Sequence, residues 1–91
     1  MRIRAYATLK ELVGGGTLDR NLPDARTVGD VLAALEAAHP PLSLKIRTPD
    51  GRLSGLVTVL LNGRSIDYLQ GEATPVTAHD SISLFPPVGG G

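Results

Sequence analysis

The 91-residue chain contains no cysteine. That absence excludes disulfide bonds, thiolate nucleophiles and thiolate metal ligands together. It is compatible with a reducing compartment, and we expect a cytoplasmic protein. The first ten residues, MRIRAYATLK, contain no long apolar run, so the sequence predicts neither a signal peptide nor a membrane-spanning segment.

Aromatic residues and net charge are also scarce. The chain has no tryptophan, one phenylalanine and two tyrosines, so we expect an aliphatic core. Nine basic residues balance nine acidic ones, and a formal net charge of zero gives no electrostatic footprint for nucleic acid or an anionic membrane. We therefore expect neither as a partner. The hydrophobic fraction of 42% is typical of a globular domain, and the length suits one domain.

The stretch ARTVGDVLAALEAAHPP, residues 25–41, predicts the main helix. Thr27 is a good N-cap, and Asp30, three residues later, suits a helix N-terminus. Pro40 and Pro41 end the helix. Its apolar face is predicted from residues at helical spacing: Val28, Val31, Leu32, Leu35 and Ala38.

Short strands are predicted on both sides of this helix. Residues 17–22 predict a return strand that forms a hairpin with the first strand. Residues 56–61 are apolar at nearly every position and predict a strand inside the sheet, with both faces partly covered. Asn62-Gly63 predicts a tight hairpin turn, and residues 81–85 predict the last strand. The first strand alternates in polarity, with three residues on its apolar face: Ile3, Ala5 and Ala7.

Residues 42–55 are harder to interpret. Pro49-Asp50-Gly51 is a turn signal, and the flanking residues form either a second hairpin or an ordered loop. The element order predicts an α+β fold of the β-grasp (ubiquitin-like) type, a mixed sheet of about five strands with one main helix packed on it. We assign residues 1–85 to the β-grasp domain and residues 86–91 to a flexible C-terminal tail that ends in Gly-Gly.

Few residues are arranged for chemistry. His39 ends the helix and His79 lies in a predicted turn; neither has metal-ligand spacing, so we expect surface histidines and no metal site. Gly14–Gly16 lack the Gly-Lys-Ser/Thr ending of a phosphate loop, so we expect a hairpin connection and no ATP site in this chain. Asp67 and Glu72 are close in sequence, but nothing indicates a paired acid and base.

The C-terminal stretch LFPPVGGG, residues 84–91, is the exception. Phe85 closes the last strand, and Pro86-Pro87 fix φ and favour a stiff, extended exit. Val88 is an apolar handle, and Gly89–Gly91 carry no Cβ that would clash in a narrow channel. Six residues from the first proline reach about 20 Å when extended. These properties suit insertion into a channel on a partner.

The tail resembles the end of the ubiquitin-like sulfur carriers (MoaD/ThiS type). It is most similar to the small subunit of molybdopterin synthase, whose members typically finish Phe-Pro-Pro-Val-x-Gly-Gly. The opening MRIRAYATLKELVG also resembles that family's first strand and ELVG turn. The stretch LVTVLLNGRSIDYLQGEATPV, residues 56–76, is similar to a sister branch that donates sulfur for cysteine synthesis.

The resemblance implies a non-catalytic cosubstrate, the small subunit of a sulfurtransferase complex. Gly91 would present the carboxylate that becomes an adenylate and then a thiocarboxylate, and Gly90 would be its required neighbour without a side chain. No cofactor would be bound by the chain itself. The implied partners are a ubiquitin-activating-type adenylyltransferase that uses ATP and Mg, a sulfurtransferase, and a sulfur acceptor such as the molybdopterin synthase large subunit, with cyclic pyranopterin monophosphate as substrate. The tail would dock through Gly89, Val88, Pro87, Pro86 and Phe85.

Three other hypotheses remain open from the sequence. The sulfur could serve cysteine, thiamine, tungsten-pterin or tRNA thiolation instead. The same adenylate could be attacked by a lysine amine, which would make the chain a ubiquitin-like protein modifier. The chain could also be a β-grasp binding module whose glycine tail is slack.

Overall fold

The computed structural model describes residues 1–87; Val88, Gly89, Gly90 and Gly91 lie outside the described residues. Two 3₁₀ turns, Ile66–Tyr68 and Gly71–Ala73, precede the last strand. No helix within the described range is long and apolar enough to cross a membrane. The strands and α-helices are β1 (Arg2–Ala5), α1 (Thr8–Leu12), β2 (Thr17–Asp19), α2 (Val28–Ala38), α3 (Pro41–Ile46), β3 (Thr58–Leu61), β4 (Arg64–Ser65) and β5 (Ser81–Phe85).

The strands form one mixed sheet in the order β2-β1-β5-β3-β4. The first two strands are antiparallel, and β1 pairs with β5 in parallel. The β3 strand is antiparallel to both of its neighbours. The last strand of the chain is therefore the central strand of the sheet. This arrangement, with α2 packed on one face, confirms the β-grasp fold expected from the sequence.

One face of the sheet carries the core. The inward residues of β1, β3 and β5 are aliphatic and buried, and α2 contributes Val28, Val31, Leu32 and Leu35 to the same cluster. The buried hydrophobic residues of the described chain include no aromatic side chain, as expected from the composition. The prediction for Ala38 was wrong, because its side chain is exposed. At about 100° per residue it lies at the edge of the helical stripe.

The N-terminus of α2 is closed by a capping box. The Thr27 hydroxyl oxygen accepts from the Asp30 backbone N–H at 3.2 Å, and the Asp30 carboxylate accepts from the Thr27 N–H at 3.2 Å. The carboxylate also accepts from the Arg26 N–H at 2.9 Å. The backbone hydrogen bond from Arg26 is the main cause that lowers the pKa of Asp30. The predicted cap residue and its carboxylate partner are confirmed.

Gly29 has a packing role that the sequence did not reveal. A Cβ built on this residue would lie 3.2 Å from the Glu72 carbonyl oxygen. Just beside it, the Val28 N–H donates to the Thr74 carbonyl at 2.9 Å. Glycine therefore lets the turn at Gly71–Ala73 approach the first turn of α2, which offsets its weaker helix propensity of about 1 kcal/mol relative to Ala.

An ion-pair network also joins α2 to the turn at Gly71–Ala73. Arg47 Nε donates to Glu36 Oε1 at 2.7 Å, and Arg47 Nη1 lies 2.8 Å from Glu72 Oε1. The hydrogen bond with Glu36 is the main cause that raises the pKa of Arg47. Since Glu36 belongs to α2, Arg47 follows α3 and Glu72 lies in a 3₁₀ turn, one side chain joins three segments.

The segment after α2 begins with a helix that neither sequence hypothesis included. Pro40 is the N-cap of α3 and Pro41 its first residue. Proline is favoured at the first helical position, because that N–H has no partner within the helix, so the residues that end α2 also begin α3. Leu42 and Ile46 then bury the inner side of the short helix. The turn signal is confirmed farther along, where Gly51 has φ 85°, and the hairpin hypothesis holds there on a small scale, since Arg47 and Leu53 form an isolated antiparallel bridge across the turn.

The predicted hairpin turn between β3 and β4 is confirmed. Asn62 and Gly63 have φ values of 51° and 84°, the paired positive angles of a two-residue hairpin. The Asn62 amide also donates to Asp80 Oδ1 at 2.9 Å, and its carbonyl accepts from the Ser81 N–H at 2.9 Å. This asparagine thus connects the turn to the start of β5. The β3 strand begins at Thr58 rather than at residue 56.

Candidate functional site

The exit of the C-terminal tail lies at the centre of the sheet. Because β1 and β5 are parallel, their carboxyl ends lie side by side, and Ala5 pairs with Leu84. The Tyr6 N–H continues this ladder by donating to the Leu84 carbonyl at 3.1 Å. On the other side, Thr58 at the start of β3 pairs with Phe85. The end of β5 is therefore bonded to both neighbouring strands, Leu84 to β1 and Phe85 to β3.

The Phe85 ring is stacked on Tyr6. The ring centroids are 4.3 Å apart and the planes differ by 6°. Such a pair contributes about 0.5–1.5 kcal/mol beyond the area it buries. Phe85 is half-buried and Tyr6 is 38% exposed, so the stack forms an apolar surface at the root of the tail. The sequence predicted Phe85 at the end of the last strand but missed Tyr6, whose position beside it depends on the parallel pairing.

A strained turn holds Tyr6 in place. Ala7 has φ 52° and ψ −129°, and the Leu9 N–H donates to the Tyr6 carbonyl at 3.1 Å across the turn. A positive φ at a residue other than glycine costs on the order of 1–3 kcal/mol. The expectation that Ala7 continues the first strand was wrong, because the chain turns here into α1. Tyr6 itself keeps the alternation of β1, so its ring lies on the outer face beside Phe85.

Two prolines follow the stack. Pro86 is half-buried and Pro87 is exposed, so the chain leaves the sheet within two residues. Both have a fixed φ and no N–H, and neither can donate to a neighbouring strand. Leu56, just before β3, is 70% exposed and adds an apolar side chain at the same end of the sheet. The roles predicted for Val88, Gly89, Gly90 and Gly91 lie outside the described residues and stay predictions.

The histidines, the glycine run and the neighbouring carboxylates noted in the sequence lie outside this site. His39 Nε2 lies 3.1 Å from Arg20 Nη2, and His79 is exposed. Gly14 has φ 78° in the connection between α1 and β2, as a hairpin connection requires. Glu72 is held by Arg47 rather than paired with Asp67. No group of three metal-ligating side chains occurs in the described part of the chain.

The fold and this site together define a β-grasp domain whose central strand, β5, is followed directly by a proline pair. The chain belongs to the ThiS family, ubiquitin-like sulfur carriers, whose family model matches residues 3–91. The resemblance to the ubiquitin-like sulfur carriers, first indicated by the tail motif, is confirmed.

Individual relatives agree with this assignment. Small archaeal modifier proteins 3 and 1 of Haloferax volcanii are each 41% identical over 91 residues, which is all of this chain and 98% and 100% of theirs. The crystal structure of the latter superposes with a TM-score of 0.85 at 36% identity, covering 99% of this chain and 97% of that one. Sulfur carrier protein CysO of Mycobacterium tuberculosis is 31% identical over 67 residues, 71% of this chain and 72% of CysO.

Proposed function

We propose that the chain is a sulfur carrier that works through the carboxylate of Gly91. The observation that carries this proposal is the fixed end of β5: Leu84 pairs with both neighbouring strands, and Phe85 pairs with Thr58 and stacks on Tyr6 before the prolines begin. A fixed root and a narrow end suit delivery of a terminal group into a partner's channel. The family match, which extends to residue 91, supports the same conclusion.

The proposed chemistry takes place on partner enzymes. A carboxylate oxygen of Gly91 attacks the α-phosphorus of ATP, which Mg accompanies, and pyrophosphate leaves. A sulfurtransferase then supplies sulfur to the acyl carbon, and AMP leaves with the carboxylate oxygen. If the nucleophile is hydrosulfide, the thiocarboxylate forms directly; if it is an enzyme persulfide, a second thiol of the partner opens the resulting acyl disulfide and is itself oxidised to a disulfide. The product is a thiocarboxylate. Since this chain has no thiol, the terminal carboxyl group is the position at which it would carry sulfur.

The acceptor we propose first is the large subunit of molybdopterin synthase. The run Phe85-Pro86-Pro87-Val88 supports it, because this part of the tail would line the acceptor's entrance. Thiocarboxylate donation to cysteine synthesis is the competing acceptor, and the similarity to CysO supports that branch. Purified thiocarboxylate chain offered to each acceptor enzyme in turn would separate the two, since only the true acceptor consumes it.

The activation step has a direct test. Incubation with ATP, Mg and the ubiquitin-activating-type enzyme and sulfurtransferase of the same organism should raise the mass by about 16 Da, oxygen replaced by sulfur. Deletion of Gly91 and the substitution Gly90→Leu should each abolish this gain. Gly55→Leu is the matched control, because a Cβ built there meets no atom within 4 Å. Absence of any mass gain in the unaltered chain would contradict the proposal.

Protein modification is a second candidate function. The full-length similarity to two small archaeal modifier proteins favours it specifically. The same adenylate would then be attacked by a lysine amine of a target, with formation of an isopeptide bond and release of AMP. Mass spectrometry of tryptic peptides from host extracts should detect Gly91 linked to target lysines. If only the thiocarboxylate is found, the carrier function stands alone.

A further inference from the structure

The outer face of the sheet has two parts. At the tail end lies the Tyr6–Phe85 stack, with the exposed Thr58 beside Phe85. Farther from the tail along β1, the outward positions are Arg4 and then Arg2, and both are exposed. At about 3.3 Å per strand residue, Arg4 lies roughly 7 Å and Arg2 roughly 13 Å from Tyr6. We call these two residues the arginine row.

Small polar side chains flank the arginine row. Arg4 pairs in register with Thr17 on β2 and with Ser83 on β5. Arg2 is flanked by Asp19 and Ser81 in the same way. Arg4 borders two shallow depressions, one shared with Tyr6 and Lys10 and the other with Arg2 and His79. The guanidinium groups are therefore accessible to a partner surface and are not covered by long neighbours.

The charges of this face differ from those of the whole chain. Among the described residues the arginine row makes no ion pair within 4.0 Å, although Asp19 lies opposite Arg2. Asp80, at the edge of the face, accepts hydrogen bonds from Asn62 and the Thr77 backbone. A net charge of zero thus conceals a cationic strip that continues directly from the root of the tail.

We propose that the arginine row orients the chain on the enzyme that activates its tail, by pairing with a strip of carboxylates on that enzyme. The carboxylates would lie about 7 and 13 Å from the point where the tail enters, because the spacing follows from the strand rise. The apolar stack then contacts the channel mouth. Complementary charges of this kind fix the register of a complex and accelerate its formation. The inference rests on the proposed activation of Gly91.

The test uses full-length chain and the ubiquitin-activating-type enzyme of the same organism. ATP–pyrophosphate exchange is measured against chain concentration for the unaltered chain, R4E and the double variant R2E/R4E. We expect the KM for the chain to rise about tenfold in the double variant at low salt, with kcat changed less than twofold. The difference should shrink as salt is added, since screening weakens exposed charge pairs. Arg52→Glu is the matched control, an exposed arginine outside the sheet, and should leave KM unchanged.

The outcomes separate this inference from the proposed function. If the unaltered chain is not activated at all, the proposed function fails. If it is activated and R2E/R4E has an unchanged KM, only the arginine row is refuted. Circular dichroism and urea unfolding check the fold of each variant. If R2E/R4E does not fold, the charge-neutral variant R2Q/R4Q is measured in its place. Titration with labelled tRNA is a further arm, and tight binding that R2E/R4E abolishes would assign the row to nucleic acid and overturn the proposal.

Discussion

The two faces of the sheet have opposite characters. The inner face is aliphatic and closed by α2, and its residues are buried almost completely. The outer face carries arginine, serine and threonine, with an aromatic stack at one end. Stability is therefore concentrated on one side and the candidate contacts on the other. Substitutions on the outer face should change partner binding while the fold persists.

The largest expected effect is on the inner face. Leu32→Ala removes a fully buried side chain of α2 and should lower the free energy of unfolding by about 2–5 kcal/mol. Leu60→Ala is the matched change on the outer face, where the side chain is half-buried, and should cost about 1 kcal/mol. Urea denaturation of both variants measures the contrast. Equal losses would mean that the outer face is packed as tightly as the core.

An intermediate effect is expected at the aromatic stack. Tyr6→Ala should lower the free energy of unfolding by about 1 kcal/mol, because Phe85 loses its stacking partner. Activation of the tail should slow as well, since its root is less well fixed. Tyr6→Phe keeps the ring and should restore both properties. An alanine variant with normal activation kinetics would show that the stack serves the fold alone.

The smallest expected effect is on the stability of the fold at low pH. The hydrogen bond from the Asn62 side chain, with one from the Thr77 backbone, lowers the pKa of Asp80. A carboxyl whose pKa is lower in the folded state stabilises the fold above its unfolded pKa of about 3.9, and this is lost as the pH falls through the folded value. Asp80→Asn should therefore lose less stability than the unaltered chain between about pH 5 and pH 2. Identical acid-unfolding slopes would contradict this assignment.

Local patterns predicted much of the fold. The cap at Thr27, the buried stripe of α2 and the Asn62-Gly63 turn each depend on residues close in sequence, so they were visible before the structure. The tail motif likewise identified the family. The α3 helix was missed, because prolines that end one helix also begin the next. The packing role of Gly29 was not visible in the sequence, because its contact with Glu72 joins residues far apart in the chain.

The sequence by itself determined the class of elements, the aliphatic core and the chemical identity of the tail, since periodicity, composition and terminal residues are local properties. Only the tertiary structure decided what surrounds that tail. The parallel pairing of the first and last strands brings Tyr6 onto Phe85 and aligns Arg2 and Arg4 with Ser81 and Ser83. That register is a long-range choice, made when both strands bury the same face against α2.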